Sequence, residues 1–336
     1  MTDNSSTSMP RTAISPTAIS RRTAVVGAAA ASAMFGLDGP IAFHSAAQAK
    51  EPKDFKPFHT FKVGDVEVTM VYDGFNKRPL DAGFIKNASI DEAKAALKAA
   101  GQDEDAVYIP FTVTIVKTGG KSIMFDASTG AQLAPTAGRF SDNLKAAGID
   151  PAKIDVIAVT HFHPDHIFGL MAKETNAQVY PNAQIVVPRA EMAFWNDPAV
   201  FTKLPEGAHG LAKRIQATLP TWKNVSQIEG EAEIAPGVRA LPAFGHTPGH
   251  TAYVLGSGTS QLMVLSDTAN VTSLFVRNPG WHIMFDADPA AAEANRRKLF
   301  DRAVADKAIV TGYHFGMPGA GTMQADGKGY AFVPVS

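Results

Sequence analysis

Within Thr160-His161-Phe162-His163-Pro164-Asp165-His166, three imidazoles and one carboxylate fall in six consecutive positions. Packing alone has no use for so many polar side chains in one run. Neutral imidazole and carboxylate together are ligands for a borderline divalent cation, zinc first, with manganese, iron and cobalt also served. Cysteine is absent, which excludes disulfides, thiolate ligands and a cysteine nucleophile. Any metal must therefore be held by nitrogen and oxygen.

One short loop cannot complete such a site, so further donors must come from later strand ends. Three segments offer them after apolar runs: Gly245-His246-Thr247-Pro248-Gly249-His250, Leu265-Ser266-Asp267-Thr268 and Gly312-Tyr313-His314-Phe315. Taking His246, Asp267 and His314 with the first run gives five histidines and two aspartates. That exceeds the usual four ligands of one zinc and suits two divalent ions sharing a carboxylate.

The elements that must position these residues alternate in kind along the chain. Strands are expected at Thr60 to Val63, Val66 to Tyr72, Phe111 to Lys117, Ser122 to Phe125 and Ile154 to Val159, the last leading directly into the histidine run. Ser89 and Glu92 have capping-box spacing ahead of a helix from Ala93 to Ala100, and Ser141 is placed to cap a short helix over 142–147. The second half repeats the order: strands at Gln184 to Val187, Val238 to Leu241, Thr251 to Gly256, Gln261 to Leu265, Ala308 to Thr311 and Tyr330 to Val335. Helices are expected at Arg189 to Asn196, at Leu211 to Leu219, and from Asp288 as N-cap through Pro289 to Ala305. Strands followed by helices in both halves predict one α+β domain over residues 50–336, built as a four-layer αββα sandwich.

HxHxDH, then the GHTPGH histidine, a strand-terminal Asp and a late His resemble the pattern of the metallo-β-lactamase superfamily over essentially all of residues 58–336. The resemblance implies that fold, with one metal on His161, His163 and His246, a second on Asp165, His166 and His314, and Asp267 bridging them. It also implies hydrolysis by a metal-bridging hydroxide, with Asp165 as a proton relay to the leaving group. A closer similarity is to the methyl parathion hydrolase group with its related esterases and lactonases. It rests on Asn143 to Gly148, Thr160 to Met171, Gly245 to Thr251 and Gly327 to Val335. It implies a phosphotriester, lactone or carboxylic ester as substrate and a pocket role for Trp195. Leu133 stands where that group has an aromatic pocket residue, and Asp126-Ala127-Ser128 replaces its usual Asp-Thr-Gly. Asp126 and His250 are expected to support ligands rather than to be ligands. The alternatives within the fold are an N-acyl homoserine lactonase, a β-lactamase-type amide hydrolase and an iron-dependent oxidoreductase.

Bulk properties agree with a small-molecule enzyme. With 336 residues, 45% of them hydrophobic, the chain can bury a large core. Its formal net charge of -1 offers no field for nucleic acid or an anionic membrane. Residues 1–49 read as an export signal: Arg21-Arg22 before an apolar run, then Ala47-Gln48-Ala49 with a small-x-small cleavage pattern. The expectation is a twin-arginine exported, periplasmic protein without a membrane anchor after cleavage. The Pro- and Gly-punctuated stretch from Asp197 to Trp222 is a candidate pocket wall or the contact of a homodimer.

Overall fold

Fourteen strands form two seven-stranded mixed sheets in a computed structural model that describes residues 55–257 and 260–336. The expected export signal lies outside the described residues. The first sheet runs in chain order: β1 (Phe58–Val63), β2 (Val66–Pro79), β3 (Ala106–Thr118), β4 (Lys121–Phe125), β5 (Val156–Ala158), β6 (Gln184–Pro188) and β7 (Val225–Ile228). Its first four strands are antiparallel, and β4 to β7 are parallel. The second sheet comprises β8 (Glu233–Ala235), β9 (Val238–Pro242), β10 (Thr251–Ser257), β11 (Ser260–Val264), β12 (Ile309–Thr311), β13 (Ala320–Asp326) and β14 (Gly329–Pro334). There, only β11 and β12 pair in parallel.

Strand periodicity sorts the core into layers. Val68, Met70, Val116, Ile123 and Phe125 of the first sheet pack with Val238, Tyr253, Leu262 and Val264 of the second. Neighbouring positions such as Ile115, Met124, Ile157 and Met263 belong to the other core cluster with the helices. Both faces of the central strands are thus covered, which is why those strands read as nearly continuous apolar runs rather than alternating ones. The α+β sandwich expected from the sequence is the fold observed.

The helices are α1 (Ile90–Ala99), α2 (Phe140–Ala146), α3 (Pro164–Ile167), α4 (Arg189–Asn196), α5 (Val200–Lys203), α6 (His209–Thr218) and α7 (Pro289–Ala305). Ser89 and Glu92 close a capping box on α1, and the Asp288 side chain accepts from Ala291 N at the start of α7. Ser141, the expected cap of α2, instead lies inside it. The buried carboxylate of Asp73, from β2, accepts from Phe140 N (2.8 Å) and Gly138 N (3.0 Å) and takes over the cap from a distance no local pattern reveals. At Gly74 a register shift bends β2, and a Cβ there would lie 2.2 Å from Thr136 O, so only glycine permits the contact. None of the described helices is long and apolar enough to cross a membrane.

Candidate metal centre

Every chemically promising residue sits just beyond the carboxyl end of a strand. Asp126 follows β4, the histidine run follows β5, His246 follows β9, Asp267 follows β11 and His314 follows β12. The parallel pairs β4–β5 and β11–β12 point these ends to one edge of the sandwich. His163 immediately precedes α3, and Pro164 opens it with the φ a first helical turn needs, so Asp165 and His166 are carried by a single turn.

Seven side chains converge there in three overlapping groups: His161, His163 and His246; Asp165, His166 and His314; and His161, His166 and Asp267. His163 Nδ1 lies 3.0 Å from His161 Nε2 and 3.0 Å from His246 Nε2. His314 Nε2 and His166 Nε2 lie 3.5 and 3.4 Å from an oxygen of Asp165. Asp267 faces both sides: its Oδ2 is 3.3 Å from His246 Nε2 and 2.9 Å from His314 Nε2, and its Oδ1 is 3.2 Å from His166 Nε2. All but His163 are buried.

Outer partners decide which nitrogen of each ring faces inward. Thr160 Oγ1 donates to Asp126 and so accepts from His161 Nδ1 (2.9 Å). His166 Nδ1 donates to Asp126 (2.8 Å), His246 Nδ1 to Asp286 (2.9 Å) and His314 Nδ1 to Pro110 O (2.8 Å). With those protons turned outward, four Nε2 lone pairs face one another and the carboxylates of Asp165 and Asp267. Such an arrangement is repulsive without protons or cations between the atoms. The Nε2 of His166 and Oδ1 of Asp267 are buried with no hydrogen-bond partner. Orphaned donors of this chemistry fit divalent cations, zinc foremost among them.

The electrostatics divide the histidines. Burial, with the neighbouring charge of His246 next, pushes His163 down to about 3. Burial and His166 hold His161 well below its ordinary value. For His166 burial acts the same way but loses to the carboxylates of Asp165, Asp267 and Asp126, and for His314 it loses to Asp267; both are raised. Burial opposes ionisation of Asp267 too, yet His314 and His166 hold it well below the carboxylate range.

The two residues expected in the pocket, Trp195 and Leu133, stand apart from the lining of the cavity over the cluster. The cavity over the cluster is lined by Asn76, Ile109, Phe111, Asn270 and Phe285 with His163, Asp165, His246, Asp267 and His314, and neither Trp195 nor Leu133 is among these residues. Trp195 is 2% exposed and its Nε1 donates to Glu191 (2.7 Å); Leu133 packs against the core. Asp126 touches Thr160, His166 and Ser266 but belongs to none of the three groups. His250 is likewise outside them, its ring 5.2 Å from that of His161 and its Nδ1 3.1 Å from Ala243 O.

Sequence reading missed Glu191, Asp286, Arg296, Phe111 and Phe285. Arg296 is 1% exposed and reaches Asp286, Thr268 O, Pro279 O and Trp281 O. A charged residue on the apolar stripe of the helix expected from Asp288 was the one available signal. Arg296 falls four positions before Phe300, on the face that α7 buries.

Residues 110–314 match the family model of the metallo-beta-lactamase superfamily. An N-acyl homoserine lactonase from a Bacillus species is 29% identical over 160 residues, 48% of this chain and 56% of that protein. The N-acyl homoserine lactonase AttM of Agrobacterium fabrum is 25% identical over 134 residues, 39% of this chain and 47% of that protein. The chain therefore spans about half the length of these curated relatives. Among solved structures, AidC, a dizinc quorum-quenching lactonase in complex with a product, superposes with a TM-score of 0.73 at 25% identity, over 83% of this chain and 97% of that one. The hydrolase AbOPH superposes with a TM-score of 0.76 at 25% identity, over 84% and 99%.

Proposed function

The chain belongs to the metallo-β-lactamase superfamily, and from that premise we propose that it is a dinuclear metallohydrolase of a neutral ester-type bond, with the lactone ring of an N-acyl homoserine as the foremost substrate. The observation that carries the proposal is Asp267, whose two oxygens face His246 on one side and His166 and His314 on the other. His161, His163 and His246 would hold one ion, Asp165, His166 and His314 the other, and Asp267 both. Zinc is the first choice for this nitrogen and oxygen set. When bound, two such ions supply Lewis acidity and bring the pKa of water toward neutrality.

The protein's own residues do the remainder. Asp126, Asp286 and the carbonyl of Pro110 fix the rings and tautomers of His166, His246 and His314. Phe111, Ile109 and Phe285 wall the cavity with apolar surface that excludes water and takes the apolar part of a substrate. The amides of Asn76 and Asn270 are the neutral polar groups among the lining residues, suited to hydrogen-bonding an acyl amide or ester rather than to pairing with a charge. Asp165 lines the same cavity, which supports a role for it in carrying a proton to the departing oxygen. The likeness to lactonases favours the lactone, and the methyl parathion hydrolase-like reading keeps aryl esters and phosphotriesters as the other ester-type candidates.

The test is an assay of the zinc-loaded full chain against an N-acyl homoserine lactone, an aryl carboxylic ester and a dialkyl aryl phosphotriester. Turnover of the lactone above the other two is expected. Inactivity on all three by protein that holds two ions per chain would sink the proposal, and stoichiometric iron with oxygen consumption would move it to the redox members of the fold.

A further inference from the structure

Glu191, the third residue of α4, is buried without exposed surface and accepts four hydrogen bonds. Its Oε1 takes Phe162 N at 3.0 Å and Trp195 Nε1 at 2.7 Å; its Oε2 takes Thr247 Oγ1 at 2.8 Å and Gly249 N at 2.9 Å. Burial pushes this carboxyl upward, but four donors occupy all of its lone pairs, so the ionised form is the one the site fits. The two oxygens divide the work. Phe162 stands between His161 and His163, so Oε1 holds the first histidine loop. Thr247 and Gly249 flank the turn after His246, so Oε2 holds the second. Gly249 presses against α4 so closely that a Cβ there would lie 2.1 Å from Glu191 N.

All three histidines of one group come from these two loops. Asp165, His166 and His314 instead hang from α3 and the end of β12. We propose that Glu191 is a positioning residue that sets the separation of His161 and His163 from His246, and with it the affinity of the three-histidine group for its ion. The inference rests on the two-metal reading above. It predicts an asymmetry that general core damage would not give. A carboxamide offers one accepting oxygen and one donating nitrogen, so Glu191→Gln can satisfy the donors of one loop but turns N–H against those of the other. The loops then part, while the Asp165, His166 and His314 group keeps its supports.

The experiment uses the full-length, metal-free chain titrated with Zn²⁺ against a chromophoric chelator, with Co²⁺ spectra as a second readout of ligand number. Wild type is expected to take two ions. Glu191→Gln should take one with wild-type affinity and the other about 10–100-fold more weakly. Trp195→Phe removes a donor but leaves both loop ties, and should hold both ions as wild type does. Should Glu191→Gln not fold, Thr247→Val, which removes one tie to the second loop, is expected to weaken one ion alone. Equal affinity of both ions in the folded Glu191 variant, equal weakening of both, or a Trp195→Phe effect as large as that of Glu191→Gln overturns the proposal; where the Glu191 variant does not fold, wild-type affinity in Thr247→Val does so. Wild-type protein that takes fewer than two ions overturns the two-metal reading itself, a result recognisable before any variant is compared.

Discussion

His246 Nδ1 lies 2.9 Å from a carboxylate oxygen of Asp286, and the N–H it donates there leaves Nε2 bare toward the cluster. The other oxygen of Asp286 is 3.3 Å from the guanidinium of Arg296, so the ring is oriented by a buried ion pair rather than by a lone carboxylate. Asp286→Ala leaves that guanidinium buried without its counter-charge. The expected cost is about 3–5 kcal/mol in denaturant unfolding of the metal-free protein. Wild-type stability in this variant would show that the pair does not hold the loop.

Asp267 faces His246 of one group and His166 and His314 of the other, whereas His314 belongs to one group. Asp267→Ala should therefore lower the affinity for both ions, and His314→Ala for one. Metal content after dialysis against a zinc buffer separates the two outcomes. An Asp267→Ala protein that keeps one ion at wild-type affinity would remove the bridging role.

Asp165 combines a place in one group of candidate metal ligands with a position in the cavity lining. Asp165→Asn keeps a coordinating oxygen but cannot accept and return a proton at neutral pH. If the residue relays a proton, kcat should fall at least tenfold for substrates with poor leaving groups and less for activated aryl esters. Full metal content with unchanged turnover on both kinds of substrate excludes the relay.

The fold and the seven-residue cluster were legible because their signals are local: apolar runs of strand length, caps such as Ser89 and Asp288, and polar donors placed just past strand ends. What was not legible depends on tertiary packing. Asp73 caps α2 from another element, Glu191 joins two loops that meet only in space, and Asp286 and Arg296 matter because α7 buries them together. Strands β7, β8 and β13 were missed because they are short or carry Gly, Gln and Asp, and their neighbours rather than their composition make them strands. The hydrogen bond from Trp195 to Glu191 was likewise not legible, because an aromatic side chain gives no local sign of its partner.

Phe285 is a cavity-lining ring that stacks edge-on with Phe84, their centroids 6.3 Å apart. If the cavity takes an acyl chain, Phe285→Ala should lower kcat/KM for long-chain lactones about tenfold more than for short-chain ones. Equal losses across chain lengths would place the chain elsewhere.

The histidines in and beside the cluster give the metal-free protein a stability maximum in pH. His163 and His250 are both pushed down to about 3 by burial, from an ordinary value of 6.5. As pH falls below 6.5 the unfolded chain takes up protons that these rings refuse, so stability is lost toward about pH 3. His166 and His314 behave oppositely. Burial works against their protonation, but the facing carboxylates raise both, so the stability they contribute is complete below 6.5 and is lost as pH rises through their higher folded values. Thermal melts of chelator-treated protein from pH 4 to 9, spanning roughly the histidine range, should peak near the ordinary histidine value and fall on both sides. Ligation requires the neutral rings, so saturating zinc should abolish the alkaline decline while raising the melting temperature throughout. A metal-free protein whose stability climbs steadily to pH 9, the upper end of roughly that same range, would contradict the upward shifts of His166 and His314.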